Sequence, residues 1–251
     1  MPHYDFAATR LFVTAKLAPA AKIDLDQTQA NYVHNVLRLP EGGKVLAFNG
    51  QDGEWETTIA AANRKIVTLC VHKMTRSQPP PSDLQYLFAP LKYARQDYMI
   101  EKAVEMGAGL LLPVVTRRTE AKRINSGRMR SHAIEAAEQC GILSIPDIAT
   151  PVRFDALLAL WDKDRLLIFC DEDAPAADPC EILRSCHSQP NSRKLAVLVG
   201  PEGGFDPSER EALLGLPCTV RLSLGPRILR ADTAAVAALA LLQAILGDWR
   251  G

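Results

Sequence analysis

The sequence lacks the marks of several large protein classes. Its six cysteines include no C-x-x-C pair and its five histidines show no ligand spacing, so no metal site is expected. The formal net charge is +0, so overall charge does not require a polyanionic partner. The most apolar stretch, residues 231–247, contains Asp232, Thr233 and Gln243 and is shorter than the ~20 residues that cross a bilayer. We expect this stretch to form a buried helix of a soluble domain.

The N-terminus also lacks a recognisable targeting signal. It reads MPHYD, without a basic stretch followed by an apolar one. A cytoplasmic protein with reduced thiols is therefore the simplest expectation. Hydrophobic residues make up 47% of the chain and charged residues 23%, which is typical of a globular protein with a sizeable core.

A proline-rich stretch divides the chain. Residues 74–83 read MTRSQPPPSD, and three consecutive prolines favour an extended, stiff connector. We predict a first domain over residues 1–75, a linker over 76–83 and a second domain over 84–251. In the first domain, segments with β-branched or aromatic residues predict strands at 9–14, 44–49, 54–60 and 66–72, and the apolar rhythm of 26–37 predicts a helix. This pattern indicates a small β-barrel with one helix.

The second domain alternates between strand-like and helix-like segments. The predicted strands are residues 84–91, 110–116, 165–171, 195–200 and 219–224. The predicted helices are residues 94–106, 128–140, 154–161, 207–214 and 233–246. Such alternation is typical of an α/β domain with a mainly parallel sheet.

Two glycine-bearing loops each follow a buried-looking strand and precede a helix. Residues 198–205 read LVGPEGGF, and residues 222–230 read LSLGPRILR. In an open α/β sheet, ligands bind beyond the carboxyl ends of the strands, and glycines let backbone amides approach a ligand closely. Neither loop has the spacing of a nucleotide-phosphate motif. The loops predict a ligand site, although each is also compatible with a simple tight turn.

These two loops, continued through residue 235, are similar to the C-terminal signature of SPOUT methyltransferases. More narrowly, the chain resembles the RsmE family, which methylates N3 of a uridine in small-subunit (16S) ribosomal RNA. Further matching segments follow in the family's order: residues 9–13 (TRLFV), 36–38 (VLR), 91–107, 133–141 and 145–146. The chain departs from the family pattern at Asp232, where the family usually has Glu, and at Ile142, where Arg is common.

The resemblance implies a fold, a cofactor and partners. The implied fold is an α/β SPOUT domain with a C-terminal trefoil knot, preceded by a small PUA-like β-barrel domain that binds RNA. S-adenosyl-L-methionine would lie in the knot. The protein would form a homodimer with the site near the interface, and its substrate would be small-subunit ribosomal RNA or the assembled small subunit.

The chemistry of N3 methylation suggests roles for individual residues. Loss of the N3 proton spreads negative charge over O2 and O4, which a nearby arginine would stabilise. We predict Arg230 as this arginine, with a phosphate clamp or a structural salt bridge as the alternatives. Asp232 or Glu202 would accept the proton, although Asp232 also suits a helix N-terminus. The predicted cofactor contacts are Val199, Gly200, Glu202, Gly203, Leu224, Gly225, Ile228 and Leu229.

Local positive charge indicates where RNA binds, because attraction to phosphates dominates the affinity. Residues 117–130 hold six basic side chains against one acidic side chain, Glu120. A solvated charge run is the alternative interpretation. The predicted RNA contacts are Arg10, Arg38, Lys92, Arg95, Arg117, Arg118, Lys122 and Arg123.

Two rival functions stay open on the sequence alone. One is a SPOUT methyltransferase that acts on transfer RNA. The other is a non-catalytic RNA-binding protein whose second domain has lost its activity. A nucleoside-triphosphate enzyme is disfavoured, because the chain has no P-loop lysine.

Overall fold

The computed structural model describes residues 8–62, 66–92, 94–121, 123–175, 177–186 and 194–250. The chain forms two compact units, one of Met1–Pro81 with Ile134–Ile145 and one of Ser82–Ala133 with Pro146–Gly251. From the sequence, residues 134–145 were expected to belong to the second domain. They group with the first unit because they bind it directly: the amide of Phe12 donates to Glu138 Oε1 at 2.8 Å.

The first unit is built on one five-stranded sheet. Its strands follow the order β1-β3-β4-β5-β2, in which β1 and β3 are parallel and the other pairs antiparallel. Three register shifts interrupt the pairing of β4 with β5, and such bulges bend a strand and increase its twist. The strands are β1 (Arg10–Phe12), β2 (Lys22–Asp24), β3 (Lys44–Phe48), β4 (Glu54–Ala62) and β5 (Val67–Arg76).

Alternation along the strands creates the core of this unit. In β5, Val67, Leu69 and Val71 are buried while the residues between them are half-buried, as a period of two requires. Helix α1 (Gln27–Asn31) begins at Asp26, whose carboxylate accepts from the amide of Gln29, and continues as a π-helical turn, Tyr32–Val36. A helical segment was therefore predicted correctly here.

The second unit contains a sheet of seven strands in which every pair is parallel. Its order is β12-β10-β11-β6-β7-β8, and β9 also pairs with β7. The strands are β6 (Gln85–Phe88), β7 (Leu110–Val115), β8 (Asp147–Ile148), β9 (Val152–Arg153), β10 (Leu166–Cys170), β11 (Leu195–Val199) and β12 (Thr219–Leu222).

Helices connect these strands. They are α2 (Ala94–Glu105), α3 (Ser126–Cys140), α4 (Phe154–Ala159), α5 (Pro179–Ser185), α6 (Pro207–Leu214) and α7 (Ala231–Ile245), followed by a 3-10 turn, Asp248–Arg250. Every residue of β11 is buried, which is expected of a parallel strand covered on both faces. The α/β class predicted from the alternation is confirmed.

Three strands end side by side and thereby position the functional site. Cys170, the last residue of β10, pairs with Val199 of β11 and with Leu222 of β12. Since all three strands are parallel, the loops that leave them emerge at the same edge of the sheet.

Helix α7 packs against this part of the unit through one apolar face. Ala231, Ala235, Ala238, Leu239 and Leu242 are buried, at the spacing of one helical face. Although α7 is rich in alanine and leucine, no helix in the described part of the chain is sufficiently long and apolar to cross a bilayer.

Candidate active site

A cavity of about 350 Å³ lies at the carboxyl ends of β10, β11 and β12. Its wall is formed by residues 170–172, 199–202 and 222–230, by Ala231 and Ala234 of α7, and by Arg95 of α2. This volume falls in the range of ~300–1,000 Å³ that small-molecule sites occupy. The two glycine-bearing loops identified in the sequence therefore meet in one site.

The first of these loops, residues 199–205, is called the glycine loop below. Gly200 is required because a Cβ there would come within 2.5 Å of the Phe205 ring. That ring is fixed in turn, since it packs edge-on against Phe169 of β10 with centroids 5.2 Å apart. The loop thus packs on the core of the unit through Phe205, while its residues 199–202 line the cavity.

Two arginines outside the glycine loop hold it in place. Arg118 Nη1 donates to the carbonyl of Gly203 at 2.8 Å. Arg95 forms an ion pair with Glu202, and both side chains remain partly exposed. These contacts add to the packing of Phe205 on Phe169 in holding the loop.

The second loop is far less constrained. Gly225 has a φ of +100°, which favours glycine, and residues 225–228 are exposed. Ile228 is 97% exposed, so it does not pack in the core. Arg227 and Arg230 are exposed on the same loop.

The carboxylate of Asp171, a residue of the cavity wall, connects two neighbouring elements of the unit. Its carboxylate receives two hydrogen bonds from Arg210 of α6, at 3.0 and 3.1 Å, and one from Arg221 of β12 at 2.8 Å. Burial by itself would raise the pKa of Asp171, but the hydrogen bonds from the two arginines outweigh it and the pKa lies below its ordinary value. The carboxylate therefore stays ionised and links the ends of β10 and β12 to α6.

Cys170, the residue before Asp171, also lines the cavity. Burial raises its pKa to about 12, so the thiol is neutral at physiological pH. It contributes an apolar surface and no nucleophile.

Comparison with known proteins agrees with this arrangement. Residues 78–243 match the family model of an RNA methyltransferase domain, and residues 25–69 match that of an RNA methyltransferase PUA domain. The chain is 30% identical over 240 residues to a ribosomal RNA small subunit methyltransferase E of Rickettsia conorii, which covers 95% of this chain and 96% of that protein. The chain belongs to the ribosomal RNA small subunit methyltransferase E family.

Solved structures support the family assignment at the level of the fold. A methyltransferase of Legionella pneumophila, solved with its cofactor S-adenosylmethionine, has a TM-score of 0.81 at 27% identity and covers 96% of this chain and 99% of that one. A ribosomal RNA small subunit methyltransferase E of Neisseria gonorrhoeae has a TM-score of 0.84 at 21% identity over the same shares. The expected SPOUT-type α/β fold with an N-terminal PUA-like domain is confirmed.

Against this family background, most of the predicted cofactor residues fall together. The cavity wall contains seven of the eight: Val199, Gly200, Glu202, Leu224, Gly225, Ile228 and Leu229. Gly203 is not among the described residues of the wall, and its carbonyl is used instead by Arg118.

The two predicted catalytic residues differ in their position relative to the cavity. Arg230 lines the cavity and stands at the N-terminal boundary of α7. Asp232 is not among the described residues of the wall, and its carboxylate accepts from the amide of Thr233 in the first turn of α7. The helix N-terminal role weighed for Asp232 thus fits its position better than contact with a substrate.

Arg10 has to be withdrawn from the predicted RNA contacts. Its guanidinium is buried and pairs with the buried carboxylate of Glu54 at 3.1 Å, and Arg76 binds the same carboxylate. The guanidinium of Arg10 cannot reach a phosphate unless this buried ion pair is broken.

The remaining predicted RNA residues differ in what they already bind. Lys92 pairs with Glu120, and Arg117 pairs with Asp206 at 3.3 Å. Arg38, with a φ of +53°, and Arg123 are exposed. Lys122 lies outside the described residues. Arg95 and Arg118 hold the glycine loop, as described above, so the basic stretch is only in part a free positive surface.

Several residues of the wall were not predicted from the sequence as cavity residues. Some lie in the two glycine-bearing loops: Pro201, Leu222, Ser223, Pro226 and Arg227. Others lie outside these loops: Arg95, Cys170, Asp171, Glu172, Ala231 and Ala234. A usable signal existed for three of them, because residues 165–171 were predicted as a strand and its carboxyl end should line the same edge. Only loops with glycine were considered.

Proposed function

We propose that this chain transfers a methyl group from S-adenosyl-L-methionine to N3 of a uridine in small-subunit (16S) ribosomal RNA. The observation that carries the proposal is the cavity at the ends of β10, β11 and β12, formed by the glycine loop and by residues 222–230 in a member of this methyltransferase family.

The donor set of the cavity suits this cofactor. Val199, Leu222, Leu224 and Leu229 offer apolar surface for an adenine ring, and the glycine-bearing backbone offers amides and carbonyls for its edge. The acidic side chains of Glu172 and Glu202 suit a ligand that carries positive charge. When bound, the cofactor supplies an activated methyl group on a positively charged sulfur.

The chain's own residues have to position the uridine and accept the proton that N3 loses. Arg230 is exposed in the cavity wall, so its guanidinium can approach a base that enters from solvent. There it would stabilise the negative charge on O2 and O4 that forms when N3 loses its proton. Because the charge develops during the reaction, Arg230 acts mainly on turnover.

Of the two proposed proton acceptors, Glu202 fits the geometry and Asp232 does not. Glu202 lies in the cavity wall, and its ion pair with Arg95 orients its carboxylate. Asp232 is engaged at the start of α7.

The partners follow from the family and the charge distribution. We propose that the protein acts as a homodimer on small-subunit ribosomal RNA, that the C-terminal segment forms the trefoil knot implied by the family, and that no metal takes part. Arg38, Arg117 and Arg123, which are exposed, support RNA binding. A bacterial ribosomal RNA enzyme would work in the cytoplasm.

An Arg230→Ala variant tests the mechanism. Removing one group that stabilises a developing oxyanion costs about 10²–10³ in turnover. Binding of S-adenosylmethionine, measured by calorimetry, should stay within about twofold. Arg184→Ala on α5, which changes an exposed arginine outside the cavity wall, is the matched control and should leave both quantities unchanged.

The substrate class needs a separate experiment. The purified protein is incubated with small-subunit ribosomal RNA, assembled small subunits and transfer RNA, and the products are digested and analysed by mass spectrometry. We expect N3-methyluridine in small-subunit RNA. Methylation of transfer RNA alone would favour the transfer RNA alternative, and no binding of S-adenosylmethionine by the folded protein would favour the non-catalytic one.

A further inference from the structure

Three carboxylates line the cavity, and they differ in the cationic side chains that pair with them. Asp171 binds Arg210 and Arg221, and Glu202 binds Arg95. For Glu172, the described residues provide neither an ion pair nor a hydrogen bond to its carboxylate. Glu172 is therefore the cavity's one carboxylate whose charge no described protein group balances.

The position of this carboxylate is set by the glycine loop. Gly204 has a φ of +70°, and a Cβ at Gly204 would overlap the carboxylate of Glu172. The glycine thus leaves the room that Glu172 occupies. Because Asp171, the preceding residue, is clamped by two arginines, the backbone that carries Glu172 is fixed as well. The carboxylate of Glu172 is exposed to solvent and lies in the cavity wall beside Gly204.

An unbalanced carboxylate in a partly apolar cavity favours a cationic ligand. The proposed cofactor carries its distinguishing positive charge on sulfur, and methyl transfer removes it: the S–CH₃ bond breaks, its electron pair stays on sulfur, and the product is a neutral thioether. The adenosine and the amino acid group are the same before and after the reaction. A carboxylate near the sulfur would therefore distinguish the cofactor from its product by charge alone.

We propose that Glu172 recognises the positive sulfur of S-adenosylmethionine, so that the site binds the cofactor more tightly than S-adenosylhomocysteine. This inference rests on the proposed function. It assigns to Glu172 a role in selecting the charged cofactor and in releasing the neutral product, whereas Arg230 and Glu202 serve the uridine.

The test is calorimetric and needs no RNA and no turnover. Dissociation constants for S-adenosylmethionine and S-adenosylhomocysteine are measured on the wild type and on Glu172→Gln, which keeps the shape and removes the charge. We expect the affinity for S-adenosylmethionine to fall about tenfold, as loss of one close charge pair across a partly hydrated site implies. The affinity for S-adenosylhomocysteine should change by less than about twofold, since its sulfur is neutral.

Two further variants make the result specific. Glu172→Asp retains the charge on a shorter side chain and should keep part of the preference for the cationic cofactor, which a purely steric role would not preserve. Glu211→Gln removes an exposed carboxylate of α6 outside the cavity wall and should change neither affinity. Thermal melting of each variant checks that the fold is retained.

The outcomes separate this inference from the proposed function. Equal weakening of both ligands by Glu172→Gln would place Glu172 at a group that the two share and overturn the inference. Unchanged affinities for both would overturn it too. Neither result affects the proposed function, which fails if the wild type does not bind S-adenosylmethionine or does not form N3-methyluridine in small-subunit RNA.

Discussion

Replacing Asp171 by asparagine should destabilise the second unit and weaken cofactor binding at the same time. The side chain of Asp171 is 2% exposed and accepts charge-assisted hydrogen bonds from Arg210 and Arg221. Asparagine has nearly the same shape, but it carries no charge and only one accepting oxygen. Both guanidiniums would lose their shared counter-ion, and the ends of β10 and β12 would lose their common anchor.

The size of the effect follows from burial. Removing one partner of a fully buried ion pair costs about 3–5 kcal/mol. The two arginines here are 27% and 31% exposed, so water compensates part of the loss. We therefore expect the free energy of unfolding to fall by about 2–3 kcal/mol. The cofactor should bind more weakly because Asp171 is itself part of the cavity wall.

The same carboxylate gives the effect a pH dependence. Its pKa in the folded protein lies below the ordinary value of 3.8 because the hydrogen bonds from the arginines outweigh burial. A carboxyl group with a lowered folded-state pKa contributes its full stability above the unfolded-state pKa and loses it as the pH falls through the folded-state pKa. The difference between wild type and variant should thus be constant near neutrality and shrink below pH 3.8.

Urea unfolding at several pH values measures both quantities. The control is Asp162→Asn, which removes an exposed carboxylate paired with Lys194 at 3.3 Å and should change stability little. If Asp171→Asn unfolds at the wild-type urea concentration with the same slope, the clamp does not stabilise the fold and the reasoning is refuted. A difference that grows on acidification would contradict the assigned pKa direction.

Two further predictions concern the same wall. Gly200→Ala should lower the free energy of unfolding by about 1–3 kcal/mol, because its methyl group would push into the Phe205 ring, and it should weaken cofactor binding. Gly127→Ala in α3, where a Cβ meets nothing closer than 3.4 Å, should not destabilise, and an equal loss in both variants by urea unfolding would contradict the clash. Since burial raises the pKa of Cys170 to about 12, iodoacetamide at about pH 8 should leave Cys170 unmodified in peptide mass maps while the exposed Cys140 reacts. Rapid alkylation of Cys170 in the folded protein would contradict the raised pKa of this thiol.

Much of the fold could be predicted because long apolar segments determine it. The parallel strands β10 and β11 appear in the sequence as nearly uninterrupted apolar runs, and the alternation with helices indicates the layered architecture. The elements that were missed are short: β2 (Lys22–Asp24), β8 (Asp147–Ile148), β9 (Val152–Arg153) and α5 (Pro179–Ser185). Two or three residues carry no periodicity, and they become strands only because a neighbouring strand pairs with them.

The site shows the same division between local and distant information. Glycine loops after strands are local features, so residues such as Gly200 and Gly225 could be placed correctly. Whether a basic side chain is used inside the fold depends on its partner, and the partner can be far away in the sequence. Arg10 binds the carboxylate of Glu54, and Arg118 donates to the carbonyl of Gly203. Positive charge along the chain therefore predicted RNA contacts at some arginines, such as Arg10 and Arg118, that the fold uses for internal bonds.

The proposed methylation of N3 of a uridine in small-subunit ribosomal RNA, at the cavity that contains Arg230, is tested most directly in cells. The measurement is mass spectrometry of ribosomal RNA from cells of the source organism that lack the gene. We predict that N3-methyluridine disappears from the small-subunit RNA, returns with the wild-type protein, and does not return with Arg230→Ala expressed at the same level. N3-methyluridine that persists without the gene, or that Arg230→Ala restores fully, would contradict the account.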